Sequence, residues 1–404
     1  MRLGQFPFFG KVTDSYRSLL YFEQVERKGI VPASTFCWTG PAGIEHYLAA
    51  DNRGRLIQSL KSFLAVRNME GTQVFERKRT IEELISRILG DVRTEASRQF
   101  GVDIRHATVG RPVKFVGADN VDDDHYAEDR LADAFSLAGF DTIAFELEPI
   151  AAAHAYESTL DHDELILIGD FGGGTSDFSV LHLEPGDGRA KTEVLATAGV
   201  AIAGDAFDAK LVRERVAPAL GRGTSYRNPF GDVLPVPRWL YAHLERWHHL
   251  SFLKSASTLA LLADLEREAL EPERLRAFMR LVREDRGFHV YRAIEAAKHE
   301  LSQQDESRVR YRDAGFALDA AVTRPDFEAW IATELERIEA SVDQALAGAN
   351  TGDAQIDRVF LTGGSALVPA VRHIFERRFG ADRIRGGEEL TSVASGLALR
   401  AVAD

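Results

Sequence analysis

The sequence predicts an α/β protein of two lobes with a helical segment inserted into the second. At 404 residues the chain is longer than one hydrophobic core usually serves, so about two lobes are expected. Strand-like and helix-like segments alternate in both halves. The run Leu165-Ile166-Leu167-Ile168-Gly169 enters the octapeptide Asp170-Phe171-Gly172-Gly173-Gly174-Thr175-Ser176-Asp177. Beyond it, Phe178-Ser179-Val180-Leu181-His182-Leu183 alternates apolar and polar residues, so the glycines join two strands. The expected division is a first lobe over 1–160 and a second over 161–404, with the insertion at about 222–286.

In chain order, Arg17 to Glu23 and Ala33 to Trp38 read as strands, Leu56 to Leu64 surrounds a lysine, and a long amphipathic helix runs from about Thr80 to Phe100. Ala107 to Arg111 reads as a buried strand, Glu128 to Ala138 as a helix and Thr142 to Leu147 as a strand. Glu148-Pro149-Ile150-Ala151-Ala152-Ala153 places a proline in a first helical turn, and its small residues permit close helix packing. After the glycine hairpin come a strand at Glu193 to Thr197, a helix at Asp205 to Val216 and a loop at Arg222 to Arg238. Trp239 to Arg286 reads as mostly helical, with Trp239, Leu240, Leu244 and Trp247 as an amphipathic core stripe. Helices at Tyr291 to Gln303 and Arg324 to Ala347, a strand at Arg358 to Thr362, and helices at Pro369 to Phe379 and Val393 to Val402 complete the pattern.

Composition excludes several classes. Apolar content of 45% and charged content of 27% describe a globular chain able to bury a large core. A single cysteine, Cys37, permits neither an intramolecular disulfide nor a cysteine-rich zinc site, and a cytoplasmic location is the expectation. No apolar run reaches the ~18 residues of a membrane helix, and the first residues lack a secretory pattern, so neither membrane nor export is expected. A net charge of −13 repels phosphate backbones, so nucleic acid is not an expected partner.

The glycine hairpin carries chemistry. Three successive glycines are expected to reach positive φ and to bring backbone N–H groups close to an anion, as in a phosphate cradle. Asp170, at the end of the first strand, suits a Mg²⁺ held through its waters, while Thr175 and Asp177 suit a terminal phosphate and an attacking water. A return as a strand excludes Walker A and Rossmann turns, which need a helix after the glycines. A tight, exposed hairpin without a ligand is the plainer alternative. A second turn, Thr362-Gly363-Gly364-Ser365, follows a strand and leads through Val368-Pro369 into a helix. Alone, it reads equally as a nucleoside contact or an ordinary loop.

A triple-glycine hairpin between aspartates, a Glu-Pro-small-small-small helix just before it and a Thr-Gly-Gly-Ser turn near the end together resemble the actin-like ATPase superfamily. Within it, the chain is similar to the nucleotide-binding domain of the seventy-kilodalton heat-shock chaperones, from about Val31-Pro32 to Gly396. The resemblance implies a two-lobed fold of duplicated ribonuclease-H-like domains that binds ATP or ADP with Mg²⁺. It places phosphate on Gly172, Gly173, Gly174 and Thr175, the metal on Asp170, and adenosine on Gly363, Gly364, Ser365, Glu295, Lys298, His299 and Ser302. It further assigns catalysis to Lys61, Glu148 and Asp177. Without it, Lys61 reads as one more solvated lysine, and Glu295 to Ser302 as an amphipathic surface helix. His299 stands where the family offers an arginine to stack on the base, so an altered base pocket is expected. Ala203 to Asp208 resembles the family's glycine turn and acidic helix start, a cap as readily as a ligand contact.

Two departures qualify this expectation. The family's first phosphate hairpin, Asp-x-Gly-Thr-Thr or similar, has no counterpart beyond Phe9-Gly10-Lys11-Val12-Thr13-Asp14-Ser15, which lacks the aspartate. Either the sequence starts too late or this clamp has decayed; decay implies weakened nucleotide binding and slow hydrolysis, or no turnover at all in a degenerate ATPase that acts as a protein-interaction module. The peptide-gripping segment that follows this domain in the family is not seen after the last helix either. The partners implied are a nucleotide and a co-chaperone or client protein.

Overall fold

The structure is a computed structural model that describes all residues except 1–2, 26–33, 51–53, 158–159, 186–190, 246–252, 254, 285, 314, 386–391 and 404. Val31, Pro32 and Trp247 therefore lie outside the described residues. The chain forms two compact units, 1–156 with 391–404, and 157–390.

The first unit opens with a hairpin of β1 (Phe6–Phe8) and β2 (Lys11–Thr13), whose turn residues Phe9 and Gly10 both have positive φ. The candidate remnant of a first phosphate hairpin is thus a tight two-residue turn, with φ > 0 at both positions. Next come β3 (Leu19–Val25), β4 (Ser34–Thr39), α1 (Gly40–Ala49) and β5 (Gly54–Gln58), the strands ordered β4-β3-β5 in one antiparallel sheet. The sequence reading missed α1. Its start is built from Gly40, at positive φ, and Pro41 near the N-terminus, residues that read as a break by propensity. A hairpin of β6 (Gly71–Val74) and β7 (Arg77–Thr80) leads into α2 (Ile81–Phe100). Thr80 caps α2 in a reciprocal box with Glu83, and Gly101 ends it in a left-handed conformation. Ile81, Leu84, Ile85 and Ile88 line one face of α2 and bury it against Leu20 and Phe22 of β3. The remaining elements are β8 (His106–Arg111), α3 (Val121–Leu137), β9 (Thr142–Leu147), parallel to β8, and α4 (Glu148–Glu157). Helix α3 starts well before Glu128 because Asn120 accepts the Asp123 N–H as an N-cap.

The second unit is built on a five-stranded sheet. Its parts are β10 (Glu164–Phe171), β11 (Ser176–Glu184), β12 (Lys191–Val200), α5 (Gly204–Leu211), β13 (Ser225–Arg227), β14 (Val233–Pro235), α6 (Trp239–Leu244), α7 (Ala256–Glu268), α8 (Pro272–Arg283), α9 (Gly287–Gln303), β15 (Glu306–Arg312), β16 (Ala317–Thr323), α10 (Arg324–Gly348), β17 (Arg358–Thr362), α11 (Pro369–Phe379) and β18 (Ile384–Arg385). The strand order is β12-β11-β10-β17-β18, antiparallel on one side of β10 and parallel on the other. Strand β10 is buried on both faces, which is why it reads as an unbroken apolar run. The expected loop at 222–238 holds the small β13–β14 hairpin, and the helical insertion resolves into α6, α7 and α8. Leu240 and Leu244 of the expected stripe are core, whereas Trp239 is 44% exposed. The β15–β16 hairpin, between two expected helices, was not foreseen, although Ser307, Val309, Leu318 and Val322 mark one buried face at period two.

The last helix, α12 (Ser392–Ala403), packs with β8 in the first unit, where the expected boundary had put everything after 161 in the second. Gly396 meets the small-residue helix α4. A Cβ on Gly396 would overlap the Ala151 carbonyl oxygen, and Ala151 and Ala153 are fully buried. The close helix approach expected from the alanine run is therefore real.

Gly396→Ala should destabilise the protein by about 1–3 kcal/mol through overpacking against α4. Gly90→Ala, in open space on α2, should instead gain roughly 0.5–1 kcal/mol of helix propensity. Urea unfolding of both variants checks the pair; equal shifts would refute the helix contact.

Candidate functional site

In the second unit, β10 and β11 end in register, with Phe171 opposite Ser176 and Asp170 opposite Asp177. The loop between them is closed by the Gly172 N–H donating to the Thr175 carbonyl at 2.9 Å. None of Gly172, Gly173 and Gly174 has a positive φ, which corrects the expectation from the glycine run. Nor does local packing demand them: added Cβ atoms would come no closer than 3.4 Å to any neighbour. All three are exposed. The local fold leaves room for side chains here, so neither backbone conformation nor packing accounts for the three glycines.

Around this loop the chain converges. The Asp205 N–H donates to the Gly173 carbonyl at 2.8 Å, tying the start of α5 to the loop. Beneath it, the buried Ser176 hydroxyl donates to the Ile202 carbonyl at 2.7 Å, and Phe171, Phe178 and Phe375 pack edge-to-face or tilted as a solid base. The Thr175 hydroxyl donates to Asp177 Oδ2 at 2.9 Å. Asp177 Oδ1 occupies the space a side chain at Gly199 would need. Asp170 and Asp177 form a directly opposed pair of like charges, an arrangement that costs energy unless a cation sits between or beside them.

Strand β17 lies parallel to β10 with Thr362 opposite Asp170. The next residue, Gly363, has φ +86° and sits so close to Phe171 that a Cβ would overlap its carbonyl oxygen. Here the glycine is required twice, by conformation and by contact. Ser365 is 5% exposed, and its hydroxyl would be 3.0 Å from a Cβ on Gly204, with Lys298 Nζ at 3.3 Å from the same point. The hairpin, the second glycine turn, the start of α5 and helix α9 thus meet around Gly204.

Lys298, on α9, pairs with Asp208 of α5 at 2.8 Å, and Asp208 is 5% exposed. Burial pushes the Asp208 carboxyl up to about 6; Lys298 opposes the shift, and Glu295 and Asp205 add to it. Glu295 is half-buried beside this pair, whereas His299 is exposed and Ser302 turns inward on its own helix, donating to the His299 carbonyl at 2.6 Å. Glu295 and Lys298 therefore join the convergence, and the Ser302 hydroxyl is taken up within α9. Asp208 was noted as part of a helix start but not counted as a site residue; its spacing of three from Asp205 on a helix opening at Gly204 was the available signal.

In the first unit, Lys61 Nζ lies 2.6 Å from Glu148 Oε1. Lys61 sits in a 3₁₀ turn, Leu60–Phe63, entered through Ser59 in a left-handed conformation. Glu148 opens α4 directly after β9 and lies over Gly110, where an added Cβ would be 3.2 Å from Glu148 Cγ. Two residues far apart in sequence are thus an ion pair.

Oxygen ligands from one or two carboxylates suit Mg²⁺, which usually keeps waters and phosphate oxygens as its other ligands. Among the described residues, no group of three or more His, Cys, Asp or Glu side chains could hold a metal alone. Asp170 with Asp177 fits a phosphate-borne Mg²⁺ better than a dedicated protein cage.

The sheet topology and the paired glycine turns define an actin-like ATPase fold. A family model described as Hsp70 protein matches residues 62–219 and 285–403, and the chain belongs to that family. The unmatched stretch between them holds the β13–β14 hairpin and helices α6 to α8. Similar proteins include the chaperone protein dnaK of Guillardia theta, 27% identical over 303 residues, 73% of this chain and 38% of that protein. Those of Cyanidioschyzon merolae and Thermus thermophilus are 28% and 29% identical, covering 79% and 80% of this chain and 43% of each relative. The chain thus matches about two fifths of the length of these relatives.

The folded state holds the Asp208 proton more tightly than the unfolded chain, so this group's contribution to stability is complete below about 3.8 and is lost as pH rises through about 6. Asp208→Asn should flatten the fall in unfolding free energy across that window. Urea titrations at several pH values measure it, and an unchanged slope would contradict the assignment.

Proposed function

We propose that this protein binds ATP or ADP with Mg²⁺ in the manner of heat-shock-70 chaperones, and that it hydrolyses ATP slowly, with hydrolysis coupled to lobe closure. The observation that carries this reading is the bare loop Gly172-Gly173-Gly174, whose missing side chains neither backbone conformation nor packing requires. Exposed backbone N–H groups without Cβ atoms can approach phosphate oxygens closely. In this reading Gly172 to Thr175 hold the phosphates, and Asp170 holds the metal through its waters. Gly363, Gly364, Ser365, Glu295 and Lys298 face the nucleoside, with His299 and Ser302 at its margin. Lys61 neutralises charge that develops on the terminal phosphate, Glu148 orients Lys61 and the attacking water, and Asp177 orders Thr175. Asp170, through waters, would hold a Mg²⁺ that would offset the charge of the phosphates. The opposed Asp170 and Asp177 supply the negative field that favours it.

A second reading, an interaction module that binds nucleotide without turnover, is favoured by the β1–β2 hairpin. Read as the worn counterpart of the family's first phosphate clamp, its two-residue turn offers neither a carboxylate nor a run of bare N–H groups. A cytoplasmic chaperone role with a co-chaperone or client as partner belongs to the same proposal.

Calorimetric titration of the 404-residue chain with Mg-ATP should show saturable binding that is tighter than with ATP and EDTA. Asp170→Ala should cost about 10–100-fold of the Mg-dependent affinity. Equal affinity in the variant would refute the metal assignment. If phosphate release is measurable, Lys61→Ala should slow it by about 10²–10³ while leaving affinity nearly intact. Binding without any release supports the second reading.

A further inference from the structure

Strand β4, Ser34-Thr35-Phe36-Cys37-Trp38-Thr39, is an edge: among the described residues it pairs with β3 alone. Its outer N–H and C=O groups form no other backbone hydrogen bond there. Proteins usually protect such an edge with a lysine, a proline, a bulge or a cover. This one has no charge, no proline and no register shift, and Phe36 is 43% exposed on it. Six residues at about 3.3 Å each offer roughly 20 Å of unprotected template.

The edge is also grooved. A cavity of about 740 Å³ runs by Ser34 to Cys37, and a second of about 310 Å³ continues by Cys37 to Thr39; both are bordered by Arg87 of α2. The first lies over the sheet face beside the edge, since it also takes in Phe22 and Gln24 of β3, with Glu76, Arg77 and Arg79 of the β6–β7 hairpin. Arg79 has a loose partner in Glu83 at 3.8 Å, but the Arg77 and Arg87 guanidinium groups form no ion pair or hydrogen bond among the described residues. Three arginines are thus gathered at one end of the groove in a chain of net charge −13. At the other end Asp91 is occupied, accepting from the Tyr16 hydroxyl at 2.5 Å and the Thr39 hydroxyl at 2.7 Å. Glu76, which also lines the groove and has no ion pair or hydrogen bond among the described residues, is outnumbered three to one by these arginines, so a second copy would set net positive charge against net positive charge.

We infer that β4 is a docking edge for an extended acidic peptide of another protein, which adds as a strand beside Ser34–Thr39 and sets its carboxylates against Arg77, Arg79 and Arg87. Main-chain hydrogen bonds supply affinity in this mode, and the side-chain contacts supply selectivity. Phe36 packs on the incoming strand, and Cys37, the single cysteine, becomes covered. This surface is independent of the nucleotide reading.

The probe is a fluorescein-labelled heptapeptide of alternating valine and glutamate, titrated into the full chain by fluorescence anisotropy. Saturable binding is expected, weakened at least about tenfold by Arg77→Ala with Arg87→Ala, and by replacing glutamates with lysines. Phe36→Asp, on an exposed position, should also abolish it, since it sets a like charge against the peptide. A peptide with proline at every valine keeps the charge but loses alternate N–H donors, and should bind at least about tenfold more weakly. Occupancy should slow maleimide alkylation of Cys37. No saturable binding, equal binding by the proline peptide, or unchanged binding by the double arginine variant would overturn the inference. So would a dimer in sedimentation that Phe36→Asp dissolves, since the second copy would then be the occupant.

Discussion

Strand β10 is the constraint on which the second unit depends. It pairs with β11 through a hairpin and with β17 across nearly two hundred residues, so both glycine turns leave the sheet at the same edge. The register places Asp170 opposite Asp177 on one side and opposite Thr362 on the other. A one-residue slip would turn Asp170 to the opposite face and separate it from its partners. Because β10 is packed on both sides, such a slip would also exchange the faces on which Ile166 and Leu167 pack, and the apolar core thereby fixes the positions of the polar groups.

The glycines in this region have different physical reasons. At Gly363 the fold itself demands glycine, since φ is positive and the Phe171 carbonyl leaves no room for a Cβ. Gly199 is small because the Asp177 carboxylate lies where its side chain would be. At Gly172 to Gly174 neither reason applies. Glycines that folding does not need are the ones the proposed phosphate contact would use, whereas glycine that folding does need says little about function.

The charged pairs show a similar division. Lys298 and Asp208 are held out of water, where burial works against the carboxylate and the ammonium works for it. Breaking such a pair leaves a buried charge, so it fixes α5 and α9 to each other more firmly than its net stabilisation suggests. Lys61 and Glu148 are more exposed, and their attraction is screened. An exposed lysine can exchange one anionic partner for another, as the proposed contact of Lys61 with phosphate would require. In the first unit, β4 lacks the usual protection of an edge among the described residues, and in the proposed docking the arginines beside it would restrict which strands can pair there.

Several features followed from the sequence alone. The hairpin between Asp170 and Asp177, strands Thr142–Leu147 and Arg358–Thr362, helix Pro369–Phe379 and the tight packing of Ala151 were legible because local patterns specify them: a period of two, a period of 3.6, a proline at a helix start, small residues in a row. Helix α1 and the β15–β16 hairpin were not read, the first because glycine and proline at its start mimic a break, the second because short alternation beside long helices is easily absorbed into them. The Asp208–Lys298 pair, the ion pair of Lys61 with Glu148, the placement of α12 on β8 and the bare edge of β4 depended on tertiary structure. Each joins residues far apart in the chain, or depends on a neighbour being absent. Local pattern determines which elements form and which positions face inward; which groups then meet, and which edge remains unpaired, is decided only when the elements pack.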